Sequence, residues 1–230
     1  RDRSPSRGLG DVYKRQPLTS IYGACSAMRD NFDALPRQTH MKLLSDVCAD
    51  AQWLVRMVEN LLSVTRVDAA TVRLSKNGTV LEELIDAVLV KFRKHYPDID
   101  VHVEIPEEFV SIPMDAMLIS QVLMNLLENA VFHAKGMENL RLRVEVKGSW
   151  AYFYVEDDGC GIPEEKLSRL FTGMLDSEAP TDQSRSSMGI GLSVCSAIIK
   201  AHGGEIWANK RAGGGTEVGF RLEMEDENGE

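Results

Sequence analysis

The chain has 230 residues, of which 43% are hydrophobic and 27% are charged, and its formal net charge at pH 7 is -9. This length allows one large domain or two small ones, and the composition is that of an ordinary soluble globular protein. The acidic balance argues against nucleic acid as the main partner, because binding to phosphates requires a basic surface.

The first 16 residues are rich in Arg, Ser and Gly and show no periodic apolar pattern, which predicts a disordered or non-native tail over residues 1–16. From Pro17 onward apolar residues recur at steps of three and four, which predicts a helix that ends before Pro36. A second stripe with the same steps follows in residues 44–65, and this is the spacing of a coiled-coil seam. We therefore predict an antiparallel helical hairpin over residues 17–70.

Two helices cannot bury all of the apolar surface on this hairpin by themselves. Two copies packed as a four-helix bundle would bury it, which predicts a homodimer formed through residues 17–70. The alternative is that the hairpin packs against the second domain of the same chain.

Residues 71–225 alternate between helical and strand patterns, which predicts an α+β fold with helices on one face of an antiparallel-rich sheet. Amphipathic helices are predicted at residues 80–92, 114–132 and 190–201. Strands are predicted at residues 72–74, 99–105, 140–146, 151–155, 205–208 and 216–222. Residues 172–188 lack apolar periodicity, which predicts a long mobile loop.

Four polar residues in the predicted helix 114–132 and just after it are spaced to share one helical face: Asn125, Glu128, Asn129 and His133. Mg²⁺ prefers oxygen ligands and keeps several waters, so the amide oxygens of Asn129 and Asn125 could hold it together with phosphate oxygens. Glu128 could orient or deprotonate an attacking group. The alternative is a helix with a solvated polar face.

Two further glycine-containing stretches are candidate parts of a nucleotide site. Asp157 ends a predicted strand, and its carboxylate could accept a hydrogen bond from an adenine amino group, while Gly159 and Gly161 let the backbone approach a flat base. An ordinary Asp-Asp-Gly turn is the alternative. Gly189 and Gly191 precede and open a predicted helix, where exposed N–H groups could bind phosphate, although a flexible hinge would use the same glycines.

These motifs occur in one order along the chain: residues 125–133, 157–161, 189–192 and 213–216. In that order they resemble the N, G1, G2 and final glycine boxes of a bacterial two-component sensor histidine kinase, with Phe171 as the F box. The resemblance covers the cytoplasmic kinase core over about residues 17–222. The stretches 112–119 and 201–209 and the late Gly-Gly-Gly run are most similar to the potassium-responsive KdpD type.

The resemblance implies a Bergerat-type ATP-binding α/β sandwich, as in gyrase, Hsp90 and MutL, after a truncated histidine phosphotransfer domain. It implies ATP and Mg²⁺ as cofactors, with Asn125 and Asn129 as metal ligands, Asp157 at the adenine amino group and Glu128 as the catalytic residue. The residues implied in nucleotide binding are Asn125, Asn129, His133, Asp157, Gly159, Gly161, Ile162, Phe171, Gly189, Gly191, Leu192 and Thr216. The γ-phosphate would pass to a histidine on the first helix and then to an aspartate in a response regulator receiver domain.

Two positions depart from the pattern of this family. Pro17 and Arg15 fit the end of its histidine box, which places the phosphate acceptor at Val12. Valine has no nucleophilic atom, so we expect the chain to bind ATP without phosphorylating itself at the usual place. Phe132 stands where the family commonly has a basic residue. We expect either a weakened nucleotide affinity or a cationic contact from His133 or Arg185 instead.

We therefore predict the core of a protein-histidine kinase. No apolar run approaches the roughly 20 residues of a membrane span. We expect a cytoplasmic segment without membrane or nucleic-acid contact, from a parent protein anchored in the inner membrane. The alternatives are a non-catalytic ATP-binding and dimerisation module, or a related ATPase of the gyrase or Hsp90 kind.

Overall fold

The computed structural model describes residues 6–68, 74–167, 170–171 and 188–224. The chain divides into two compact units between Leu61 and Leu62. No helix within the described ranges has the length and hydropathy that crossing a bilayer requires.

The first unit is helical. Helix α1 spans Ser6–Asp30 and helix α2 spans Arg37–Asp68. Both predicted helices are present, but α1 begins at Ser6 and runs through Pro17, so residues 6–16 are helical and not the disordered tail that we expected. The stretch contains good helix formers such as Lys14 and Gln16, and helix growth from an existing turn is cooperative, so a helix can extend without an apolar stripe.

The second unit alternates short strands and helices. Its described elements are β1 (Asn77–Val80), α3 (Leu81–His95), β2 (Val101–Glu104), β3 (Ser111–Met114), α4 (Ala116–His133), β4 (Leu140–Lys147), β5 (Trp150–Asp157), α5 (Glu164–Leu167), α6 (Met188–Ala201), β6 (Glu205–Lys210) and β7 (Thr216–Glu223). Strands β1 and β3 were not predicted. The strand predicted at residues 72–74 falls largely outside the described residues, as does the loop predicted at 172–188, except that Met188 begins α6.

Five of these strands form one sheet in the order β2-β4-β5-β7-β6. Strand β2 runs parallel to β4, and the other neighbours are antiparallel. Strands β1 and β3 form a separate antiparallel pair. The predicted α+β class is confirmed, with a mixed sheet.

The hydrophobic core lies between this sheet and helices α3, α4 and α6. Alternate residues are buried there along the first part of both strands, as the two-residue repeat of a strand requires: Leu140, Leu142 and Val144 of β4, and Ala151, Phe153 and Val155 of β5. Phe153 on β5 stacks on Phe220 of β7, with ring centroids 4.6 Å apart. This core fixes the positions of the helices and strand ends that carry the candidate site.

A buried histidine joins the start of α4 to the end of α6. The Asp115 side chain caps α4 by accepting a hydrogen bond from the Leu118 N–H at 3.2 Å. The Asp115 N–H donates to Nε2 of His202 at 3.1 Å, and Nδ1 of His202 lies 2.8 Å from the Ile198 carbonyl oxygen. Because Nε2 accepts, the proton of the neutral ring is on Nδ1, which donates to Ile198. Burial lowers the pKa of His202 and so favours this neutral form.

Candidate functional site

A cleft opens among α4, the end of β5, α6 and the start of β7. It encloses about 460 Å³ of space, including space open to solvent. Its lining residues are Leu126, Asn129, Ala130, His133, Ala134, Val155, Asp157, Gly161, Ile162, Leu192, Thr216 and Val218. Apolar walls with a few polar groups are the usual construction of a site for a flat, partly polar ligand.

Asp157 is the acidic group of the cleft, and it is 7% exposed. Its Oδ1 atom accepts hydrogen bonds from the Gly159 N–H at 3.0 Å and from the Thr216 N–H at 3.3 Å. Burial raises the pKa of Asp157, and these two N–H groups partly oppose that effect. The carboxylate is therefore held in one orientation at the cleft wall, where it can accept a hydrogen bond from an amino group.

The glycine run before β7 packs against the backbone of Asp157. Gly213, Gly214 and Gly215 all have positive φ angles, and a Cβ atom on Gly215 would lie 1.9 Å from the Asp157 carbonyl oxygen. The Arg211 guanidinium also donates a hydrogen bond of 2.8 Å to that carbonyl oxygen. These contacts place Thr216 beside Asp157, and Arg211 is a positioning residue that no local sequence signal identified.

The turn after β5 is hydrogen-bonded to the segment that follows α4. The Asp158 carboxylate accepts from the N–H groups of Glu138 and Asn139 at 2.8 and 2.9 Å and from the Asn139 side-chain amide at 2.6 Å. The Asn139 side chain is the main cause that lowers the pKa of Asp158 to about 2. A Cβ atom on Gly159 would lie 2.7 Å from Ala134, so Gly159 packs behind the cleft and does not line it.

Two polar atoms of α4 are buried in the structure without a hydrogen-bond partner, and both belong to residues that line the cleft. They are Nδ2 of Asn129 and Nε2 of His133. Buried polar atoms in native proteins normally have partners, so these two fit a site completed by a polar ligand. Burial lowers the pKa of His133, which keeps its ring neutral at pH 7. Arg185, the other residue expected to offer a cationic contact, lies outside the described residues.

Asn125 and Glu128 do not line the cleft. The Asn125 side chain is 7% exposed and hydrogen-bonded to the thiol of Cys195 on α6. Of the two amides expected to hold the metal, Asn129 is therefore among the lining residues and Asn125 is not. Glu128 accepts a hydrogen bond of 3.3 Å from the Tyr96 hydroxyl.

Three other predicted residues, Phe171, Gly189 and Gly191, are not among the lining residues. Phe171 is half-buried and packs against the hydrophobic core. Gly189 and Gly191 belong to the first turn of α6 and do not precede it, since the helix begins at Met188. Leu192, one residue further along this helix, does line the cleft. Within the described ranges, no three His, Cys, Asp or Glu side chains are grouped to hold a metal ion.

Comparison with known proteins agrees with this architecture. Residues 114–226 match the family described as histidine kinase-, DNA gyrase B-, and HSP90-like ATPase. The chain is 32% identical over 212 residues to the sensor protein KdpD of Clostridium acetobutylicum, which covers 92% of this chain and 23% of that protein. The chain thus spans about a quarter of the length of this relative.

Two solved structures share the fold over nearly the whole chain. Histidine kinase ThkA, in complex with the response regulator protein TrrA, aligns with a TM-score of 0.73 and 24% identity, covering 97% of this chain and 62% of that chain. Full-length ShkA in complex with AMPPNP aligns with a TM-score of 0.60 and 21% identity, covering 96% of this chain and 46% of that chain.

Proposed function

The chain belongs to the sensor histidine kinase family, and we propose that it binds Mg-ATP in the cleft and transfers the γ-phosphate to a histidine. One observation carries this proposal. Asn129 and Asp157, 28 positions apart in the sequence, line the same cleft together with Thr216. The AMPPNP complex of ShkA, a protein of the same fold, supports ATP as the ligand.

Each polar group of the cleft has a proposed role. Asp157 accepts the hydrogen bond of the adenine amino group, because its carboxylate is buried and already oriented by two N–H groups. Gly161, Ile162, Leu192 and Thr216 surround the base and its sugar. Asn129 offers its amide oxygen to Mg²⁺, and the neutral His133 hydrogen-bonds to the bound nucleotide.

We assign the metal contact mainly to Asn129, because Asn125 is already engaged with Cys195. When bound, Mg²⁺ would neutralise charge on the phosphate chain. Phosphoryl transfer depends mostly on positioning, so the protein's task is to hold the γ-phosphate in line with the acceptor. Glu128, one residue before Asn129, orients or deprotonates that acceptor.

The acceptor histidine is the part that this chain lacks. The family's histidine box aligns Val12 with the acceptor, and Val12 lies within α1. We therefore propose a kinase core that binds Mg-ATP but does not phosphorylate itself at this position. In the parent protein the phosphate would pass on to a response regulator receiver domain, and the ThkA–TrrA complex supports such a partner.

We also propose that residues 17–70 form the dimerisation hairpin and residues 71–225 the catalytic domain, in the cytoplasmic part of a membrane-anchored protein. Large apolar side chains on the helices and their connection are exposed in the single copy: Leu18, Tyr22, Phe32, Met41, Leu44 and Val55. An exposed apolar surface of this kind usually marks an interface. A second copy of the hairpin would cover it as a four-helix bundle.

Two measurements test the proposed function. Calorimetry should detect ATP binding with Mg²⁺ and a large loss of affinity for ATP in Asp157→Ala. An unchanged affinity would show that ATP does not bind in this cleft.

With labelled ATP, the unsubstituted chain should remain unlabelled, whereas Val12→His should acquire an acid-labile label. A Val12→His chain that binds ATP but takes no label would favour the non-catalytic module. Multiple turnover of ATP without a phosphoprotein would favour an ATPase of the gyrase or Hsp90 kind.

A further inference from the structure

Tyr96 connects the end of α3 to the acidic residue of α4. Pro97 follows it and prevents α3 from continuing, and Tyr96 has φ -131° and ψ 67°, outside the helical region. Its hydroxyl donates a hydrogen bond of 3.3 Å to Oε1 of Glu128. The hydroxyl therefore reaches a carboxylate 32 positions further along the chain.

Two aromatic rings hold the Tyr96 ring in place. The ring of Phe92, which is fully buried on α3, lies 4.9 Å from it at an interplanar angle of 34°. The ring of Phe132 on α4 meets it edge-on, with centroids 6.1 Å apart at 78°. Aromatic pairs at these separations are attractive beyond the area that they bury. The phenol is thus held by contacts with α3 and with α4, the helix that carries Glu128.

We propose that Tyr96 is a positioning residue for Glu128, held for that task by Phe92 and Phe132. The inference rests on the proposed function, in which Glu128 assists phosphoryl transfer. A glutamate side chain has several rotamers of similar energy, and a hydrogen-bond donor at a fixed point selects among them. The Tyr96 hydroxyl provides that fixed point.

The same arrangement accounts for Phe132, which stands where the family commonly has a basic residue. An extended basic side chain would offer no ring edge to Tyr96. In this chain the position supports the tyrosine that holds Glu128.

Tyr96→Phe tests the inference, because it removes the hydroxyl and keeps the ring. In the Val12→His background we expect the phosphorylation rate at saturating ATP to fall about fivefold, the effect of losing one hydrogen bond. The KM for ATP should not change, and the melting temperature should fall by no more than the few degrees that losing one hydrogen bond costs. A merely structural role would lower the melting temperature without lowering the rate at saturating ATP. Tyr154→Phe is the matched control, since that ring lies on β5 under the Arg143 guanidinium, and its rate should stay the same. A Val12→His chain that binds ATP but takes no label would overturn the proposed function and this inference with it.

A double-mutant cycle separates this inference from the proposed function. Once Glu128→Gln has slowed the reaction, adding Tyr96→Phe should slow it little further, since the carboxylate that Tyr96 positions is already gone. Full activity of Glu128→Gln would overturn the proposed role of Glu128 and the inference with it. A slow Glu128→Gln with a fully active Tyr96→Phe, or independent and additive effects of the two changes, would overturn the inference alone.

Discussion

Gly215 packs so closely against Asp157 that a Cβ atom added to the glycine would lie 1.9 Å from the aspartate's carbonyl oxygen. Its φ of +87° is also one that residues with a side chain rarely adopt. We expect Gly215→Ala to push β7 away from the end of β5, to lower the free energy of unfolding by about 3 kcal/mol and to abolish ATP binding. Urea unfolding and calorimetry measure the two effects.

Gly148 supplies the control for this change. It has φ +61° in the turn between β4 and β5, and nothing lies within 4 Å of an added Cβ atom. Gly148→Ala should therefore cost only the backbone strain, about 1 kcal/mol, and leave ATP affinity intact. Equal losses in the two variants would show that the close contact with Asp157 is not the cause.

Asp158 should hold the segment after α4 in place, because its carboxylate accepts the N–H groups of Glu138 and Asn139. Asp158→Ala removes these acceptors, and we expect amide hydrogen exchange at both positions to accelerate by about tenfold or more. Asp86→Ala on α3 is the control. Unchanged protection at Glu138 and Asn139 would argue against this role.

Because the pKa of Asp158 is lowered, the hydrogen bonds that its carboxylate accepts from Glu138 and Asn139 should depend on pH. Since its pKa in the folded chain is about 2, against an ordinary 3.8, the stabilisation is complete above pH 3.8. It is lost as the pH falls through about 2. Exchange rates at Glu138 and Asn139 should follow that titration and should not depend on pH in this way in Asp158→Ala.

His202 should make the stability of the catalytic unit sensitive to acid. Burial lowers its pKa in the fold, while Lys76 further disfavours the charged ring and Asp115 opposes that effect. The unfolded chain therefore binds a proton more readily than the folded one. The contribution of neutral His202 is complete above about pH 6.5, the ordinary value, and declines as the pH falls below it.

Urea unfolding at pH 7.5 and pH 5.5 measures this effect. The chain should lose stability between the two values, and His202→Gln should lose less because it has no proton to gain. His133 titrates in the same direction, but it is present in both chains, so the difference between them reports His202. An identical pH dependence in both chains would contradict the prediction.

Cys160 and Cys195 should differ strongly in reactivity. Cys195 is buried on α6, and burial raises its pKa to about 12, whereas Cys160 is exposed beside the cleft. Because the thiolate is the reactive form, we expect iodoacetamide to modify Cys160 at least about a hundredfold faster in the native chain. Mass spectrometry of the modified peptides measures the ratio, and in denaturant it should approach unity.

Strong local patterns made much of the fold predictable. Helices α3 and α4 and strands β4 and β5 each carry a long run of one apolar period, and the structure contains all four. Strands β1 and β3 span four residues each, and β3 includes Pro113. Such short runs contain too few residues to establish an alternation, so they were missed.

The candidate site was predictable where a residue's own chemistry marked it, as for Asp157 and Asn129. The burial of Asn125 could not be predicted from the sequence, because Asn125 and Asn129 are four residues apart on a helix and point in nearly the same direction. Packing against Cys195 decides which of them reaches the cleft. Arg211 donates to the backbone oxygen of Asp157, 54 positions away. Every residue has a backbone oxygen, so the residue types in the sequence do not predict such a contact.

The walls of the cleft come from four separate stretches of the chain, and the last of them begins at Thr216. A nascent polypeptide emerging from the ribosome therefore has no binding surface until β7 has been synthesised and has paired with β5. Under the proposed function, ATP can stabilise only the finished domain, because a ligand that binds the folded state alone shifts the equilibrium toward it. A chain cut short before that strand gains nothing from cellular ATP and stays open to proteases.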